Sequence, residues 1–174
     1  MMGKNKDTHK KIQLNIMSIP PILVRIFLIG VLALFLWGIY SSSSASDVSM
    51  DSIREAMIQN TDIQEMEECN NRKLLQFLNL NYQNYDSYIY WKSTASLGVD
   101  EVLVVKVRDT SDLDDVKDAV ESRVKSQEKV FESYGPDQMK LLGNAVIETR
   151  GKYLFYCVSD DATKYEEVFR DAVQ

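Results

Sequence analysis

Histidine is almost missing: the one imidazole in 174 residues is His9, in a basic segment ahead of the main body of the chain. That body therefore cannot build a Ser-His-Asp or Cys-His nucleophile or a histidine-ligated metal site. Cysteine is scarce too. Cys69 and Cys157 stand 88 positions apart and belong to no CxxC unit, so neither a zinc site nor a dithiol redox motif is written here. A disulfide between them and two buried free thiols both remain open. No glycine-rich phosphate loop is present among seven glycines. Acidic residues outnumber basic ones after position 40. The first 40 residues hold five Lys and Arg against Asp7, a net +4, and the remainder holds 15 basic against 25 acidic residues, a net −10. Phosphate neutralisation needs clustered Lys and Arg, so nucleic acid is excluded as a partner.

What is present first is an apolar run. ILVRIFLIGVLALFLWGIY begins at Ile22 and ends at Tyr40, with Arg25 as its only charge. As a helix, 19 residues reach about 28 Å, close to the hydrocarbon thickness of a bilayer. Arg25 sits in the first turn, where it can snorkel to the headgroups, and Trp37 and Tyr40 stand at the other end, where interfacial aromatics gather. The lysines precede the run, so the positive-inside rule places residues 1–21 in the cytoplasm and the rest outside. A second reading is a signal peptide, because Ser43-Ser44-Ala45 offers small residues where a signal peptidase inspects them. The run is longer than the usual signal core, which favours a retained anchor. Lipid attachment just after it is chemically excluded for want of a cysteine.

Residues 41–46, SSSSAS, read as a short flexible spacer, and residues 47–174 as one extracytoplasmic domain. Met50, Ile53 and Met57 suggest a short helix over residues 47–60, and Leu74, Leu75 and Leu78 another over 72–78. Residues 86–92 and 101–108 read as strands that pair. In the second of these, Leu103, Val105 and Val107 form one wholly apolar face. The longest helix starts with Ser111 as cap and acids in its first turns. Leu113, Val116, Val120, Val124, Phe131 and Tyr134 form its stripe, and Gly135-Pro136 end it. Two further strands, over 145–149 and 152–159, flank a hairpin turn at Arg150-Gly151, and a last helix places Tyr165, Val168, Phe169 and Ala172 inward. The expected fold is α+β: an antiparallel four-stranded sheet in the order ββαββα, covered on one face by helices, behind an N-terminal transmembrane helix.

Chemistry is thinly marked in this domain. Asp109, Asp112, Asp114 and Asp115 invite a calcium reading, but an EF-hand from Asp112 wants glycine and glutamate where Lys117 and Arg123 stand. A solvated helix start explains the acids better. Asp100 and Glu101 are adjacent at a strand start and so point to opposite faces, which keeps them from converging on one glycosidic bond; they read as charges guarding a strand end. Tyr82, Tyr85, Tyr88, Tyr90 and Trp91 are either core or a sugar-stacking row. Arg123 and Gln127 lie on or beside an apolar stripe, where a polar residue needs a buried partner, such as a carboxylate, or else serves docking.

Val99-Asp100-Glu101-Val102, the helix with Arg123 followed by Ser126-Gln127, the exit Tyr134-Gly135-Pro136, and Gly151-Lys152-Tyr153 leading to Ser159-Asp160-Asp161 form an ordered set. In this set, residues 74–173 resemble an uncharacterised family, a domain of unknown function, from Gram-positive and mainly clostridial bacteria. The resemblance implies an extracytoplasmic domain on a lipoprotein or single-pass anchor, with no activity attached. Many relatives carry a lipid-attachment cysteine, and this chain departs from them with a plain apolar anchor. The expected function is a non-enzymatic, membrane-tethered module that binds a protein or a cell-wall component and needs no cofactor or metal. The positions singled out are Asp100, Glu101, Arg123, Gln127 and Tyr134. The alternatives are a carboxylate-dependent glycan hydrolase of the envelope, and a secreted binding protein released after Ala45.

Overall fold

The computed structural model describes residues 21–43 and 45–174. The basic tail and its His9 lie outside the described residues, as do the side chains of Trp37 and Tyr40. The chain divides into two compact units, the second comprising Tyr40–Gln174. The first contains most of α1 (Pro21–Ser43). Its described side chains, Ile22 and residues 24–34, are all exposed, and its apolar residues surround the helix instead of forming a stripe. Among the described residues, no helix is long and apolar enough to cross a membrane.

The second unit is built on five strands: β1 (Glu67–Glu68), β2 (Ser87–Lys92), β3 (Glu101–Lys106), β4 (Val146–Arg150) and β5 (Tyr153–Val158). They lie in the order β1-β2-β3-β5-β4, and every neighbouring pair is antiparallel. The helices are α2 (Met50–Asn60), α3 (Asn71–Leu78), α4 (Leu113–Phe131), α5 (Pro136–Gly143) and α6 (Ala162–Ala172). The expectation of four strands covered on one face needs two corrections. The extra strand is β1, whose two glutamates carry no β-branched or aromatic signature. The second correction concerns the layers, because both faces of the sheet are covered.

On one face Tyr90, Leu103, Val105, Leu154 and Tyr156 meet Leu74 and Leu78 of α3, Val116, Val120 and Phe131 of α4, and Leu142 of α5. On the other, Ile89, Trp91, Val102, Val104, Phe155 and Cys157 meet Ile53 and Met57 of α2 and Tyr165 and Phe169 of α6. The residues of β5, YLFYCV, are buried without alternation, as a strand covered on both sides must be. At the β4–β5 turn Gly151 takes φ +53°, a left-handed conformation that a side chain disfavours.

The long helix is shorter than its stripe suggests. It is entered through a 3-10 turn (Thr110–Asp112) whose cap is Asp109, the Ser111 N–H donating to its Oδ1 at 3.0 Å; Ser111 is thus capped and not the cap. Tyr82 is 43% exposed, but Tyr85, Tyr90 and Trp91 are buried, so the aromatic series supplies core and forms no sugar-stacking row.

The start of the second unit is docked on its end. The Ser46 N–H donates to the Val173 carbonyl at 2.7 Å, and the Val48 N–H donates to the Tyr153 hydroxyl, which donates back to the Val48 carbonyl. Lys106 Nζ reaches Asp47 Oδ1 at 2.5 Å, and this cation holds the Asp47 carboxyl below the usual range. The stretch read as a free spacer therefore joins the domain by Ser46.

Cys69 and Cys157 are both buried and free, and they belong to opposite cores. The Cys69 N–H donates to Tyr90 O on β2, whereas Cys157 lies two strands away on β5, about 10 Å at the usual strand spacing. A disulfide is thus outside geometric reach. Burial also pushes the Cys157 thiol well up, which suppresses the reactive thiolate. A thiol reagent is expected to modify neither cysteine in the folded chain and both after denaturation. Modification of one thiol per chain under native conditions would contradict the burial.

Candidate functional site

Of the residues singled out, Glu101 starts β3 and Asp100 immediately precedes it, at one end of the sheet. Register places Lys92, Glu101 and Val158 in one row across β2, β3 and β5, and Tyr90, Leu103 and Tyr156 in the row two residues along. Side chains alternate along a strand, so Glu101 shares the α3–α4 face with Leu103 while Asp100 turns to the other side. The prediction that the two acids diverge agrees with this arrangement. The reading of Glu101 as a solvated strand guard does not, since the residue is 0% exposed.

Glu101 is held by four donors. Arg123 Nη2 donates to Oε1 at 2.6 Å and Nε to Oε2 at 3.2 Å, and the Tyr90 and Tyr156 hydroxyls donate to Oε1 and Oε2, each at 3.3 Å. Lys92 Nζ stands 3.8 Å from Oε1. Phe77 lies beneath both cations, with its ring centre 5.1 Å from Arg123 Cζ and 5.5 Å from Lys92 Nζ. Burial is the largest single influence on Arg123 and opposes its charge, but the bonds and charge of Glu101 together with Tyr90 and Tyr156 outweigh it and the guanidinium pKa rises. Burial first, and the Glu101 charge second, hold both tyrosine hydroxyls far above their ordinary range.

This explains the polar break in the α4 stripe: Arg123 occupies a core-facing position because its carboxylate partner comes from β3. Gln127, one turn on, is also buried, and its Oε1 has no hydrogen-bond partner. Tyr134 takes no part in the cluster. It is 59% exposed and leans on Phe131, with ring centres 5.5 Å apart. Sequence reasoning does not single out Tyr156, Lys92 or Phe77. It offers Tyr90 only as core or as part of a sugar-stacking row, and no local signal ties it to Tyr156, 66 positions away.

Chemically the cluster is closed. Both oxygens of Glu101 are committed to Arg123 and a tyrosine, which leaves the carboxylate no free lone pair directed at a substrate and no exposure to one. The open chemistry lies on Asp100's side of the sheet. Asp62, Glu65, Ser93, Asp100, Ser159, Asp161 and Tyr165 line a cleft of about 270 Å³. Burial, and after it the charge of Asp160, raise the Asp100 carboxyl above the usual range, against the pull of a backbone hydrogen bond. Burial carries the Tyr165 hydroxyl up to about 12. Among the described residues no group of three or more His, Cys, Asp or Glu is placed to hold a metal ion.

The raised Asp100 carries a signed prediction. A carboxyl with a folded-state pKa above its unfolded value lends stability below the unfolded pKa, and that stability is lost as pH rises through the folded pKa. At neutral pH the ionised side chain is therefore a burden. Asp100→Asn is expected to raise the thermal midpoint at pH 7 and to leave it nearly unchanged at pH 3. A lower midpoint at pH 7 would mean that the carboxylate forms a stabilising contact there.

These features define a class: a two-sided α+β domain with its distinctive polar residues gathered at one end of an antiparallel sheet, one set sealed and one set lining a cleft. A family model described as Domain of unknown function (DUF4358) matches residues 59–159, more than half of the chain, and the chain belongs to this family. No curated protein and no solved structure matches it.

Proposed function

We propose that the chain is a membrane-tethered module of a Gram-positive cell envelope, anchored by residues 22–40, with residues 1–21 in the cytoplasm. Its acidic domain binds an envelope protein or a cell-wall component on the outer side without catalysing a reaction. The observation that carries the tether is α1: a helix apolar on every side, with its described side chains exposed, needs either an apolar solvent or a protein interior around it. The charge asymmetry sets its direction. The binding role is supported by the cleft at Asp100, where three separate strand ends deliver polar side chains to one open surface. Intact mass of the chain recovered from membranes and from medium of a Gram-positive host tests the tether. Full-length chain in the membrane is expected, and a chain beginning at Ser46 in the medium would sink it.

One observation favours a second reading, an envelope glycan hydrolase. Four carboxylates line the same cleft, and the one on Asp100 is raised, as the general acid of a glycosidase must be. Release of reducing sugars from cell-wall glycan by the wild type, lost in Asp100→Asn, would establish it. No release by either protein leaves the binding module.

A further inference from the structure

The small-residue motif Ser43-Ser44-Ala45 can be read by a signal peptidase, yet the bond it would expose, Ala45–Ser46, opens a segment that the domain holds. Such a peptidase takes its substrate as an extended segment, seats small side chains in its pockets and pairs with the backbone around the scissile bond. In this chain those features are occupied. The N–H of Ser46, on the scissile peptide itself, donates to Val173 O at 2.7 Å, and the Ser46 hydroxyl donates to Gln174 O at 2.6 Å. Ala45 packs on the β4–β5 turn so closely that a Cβ on Gly151 would meet the Ala45 methyl at 3.0 Å. The next residues are fastened as well, Asp47 by Lys106 and both backbone groups of Val48 by the Tyr153 hydroxyl.

We propose that folding of the domain protects the Ala45–Ser46 bond, so that the docked strap over residues 45–48 decides between a tethered and a released protein. The protected reaction is hydrolysis: water adds across the amide, leaving a carboxylate on Ala45 and a free amine on Ser46. A chain that folds before it meets the peptidase keeps its anchor, and a chain whose strap is undocked is cut. This rests on the tether reading, and the experiment separates the two.

The full chain is expressed in a Gram-positive host as wild type, as Asp47→Ala/Tyr153→Phe, which unfastens the strap while keeping the Tyr153 ring in the core, and as Gly151→Ala, which crowds Ala45 by an independent route. Near-UV circular dichroism of each confirms that the core is intact. Intact mass and N-terminal sequencing then measure the fraction released into the medium with Ser46 first. The expected result is a full-length wild type in the membrane, several-fold more release from both variants, and loss of that release when Ser43→Trp is added to remove the small residue that the peptidase inspects. Folded variants retained as completely as the wild type would overturn the protection and leave the tether standing. A wild type released with Ser46 first would overturn both.

Discussion

Arg123→Ala will destabilise the domain by about 3–5 kcal/mol, the cost of leaving a buried carboxylate without its ionic partner. Glu101 has no exposed surface, so after the truncation it would keep only two tyrosine hydroxyls at 3.3 Å and an ammonium at 3.8 Å. Domain stabilities are about 5–15 kcal/mol, so the loss is a large share of the whole. Arg123→Lys will recover little, because an ammonium cannot supply the paired Nε and Nη2 bonds. The joint change Glu101→Leu/Arg123→Met is expected to cost less than Arg123→Ala alone, since it removes the charge along with its partner. Equilibrium urea denaturation of the four proteins checks this. A loss below about 1 kcal/mol for Arg123→Ala, the level of an exposed pair, would show that the cluster is not sealed.

An effect of the same size belongs to the second core. Phe169→Ala is expected to cost about 3–5 kcal/mol, the range for a buried phenylalanine. Phe169 is fully buried, stacks on Phe155 with ring centres 4.9 Å apart and planes 13° from parallel, and meets Tyr153 edge-on at 6.4 Å. If helices covered only the α3–α4 face, this residue would be peripheral and its truncation nearly neutral. The urea midpoint therefore tests the three-layer architecture directly, and a wild-type midpoint would refute it.

That architecture marks where sequence reasoning stopped. Alternation in residues 101–106 showed that Leu103 and Val105 share a face, and residues 152–159 were legible as a strand. Neither reports what lies across from the second face, because periodicity describes one segment and coverage belongs to two. The inward faces of Met50, Ile53 and Met57 and of Tyr165 and Phe169 were legible one by one. Their meeting across Val102 and Val104 was not. The site divides in the same way. Arg123 was legible as a polar residue that needs a buried partner or else serves docking, since the helix stripe exposes the anomaly. Glu101 was misread, because a charge at a strand start looks solvated until the helix carrying its partner is placed. The Asp100 cleft gathers residues from positions 62 to 165, and no local pattern connects them.

The strand order has a consequence for the making of the protein. β5 lies between β3 and β4, so an interior strand of the sheet is the last of the five to leave the ribosome. Until residue 158 has emerged, β3 lacks a neighbour on one side, and Tyr156 is not there to complete the Glu101 pocket. Contacts between such distant positions form slowly, and an unpaired strand edge stays exposed in the meantime. A chain made from its N-terminus thus spends most of its synthesis as a half-built sheet, closing only when its final two dozen residues arrive.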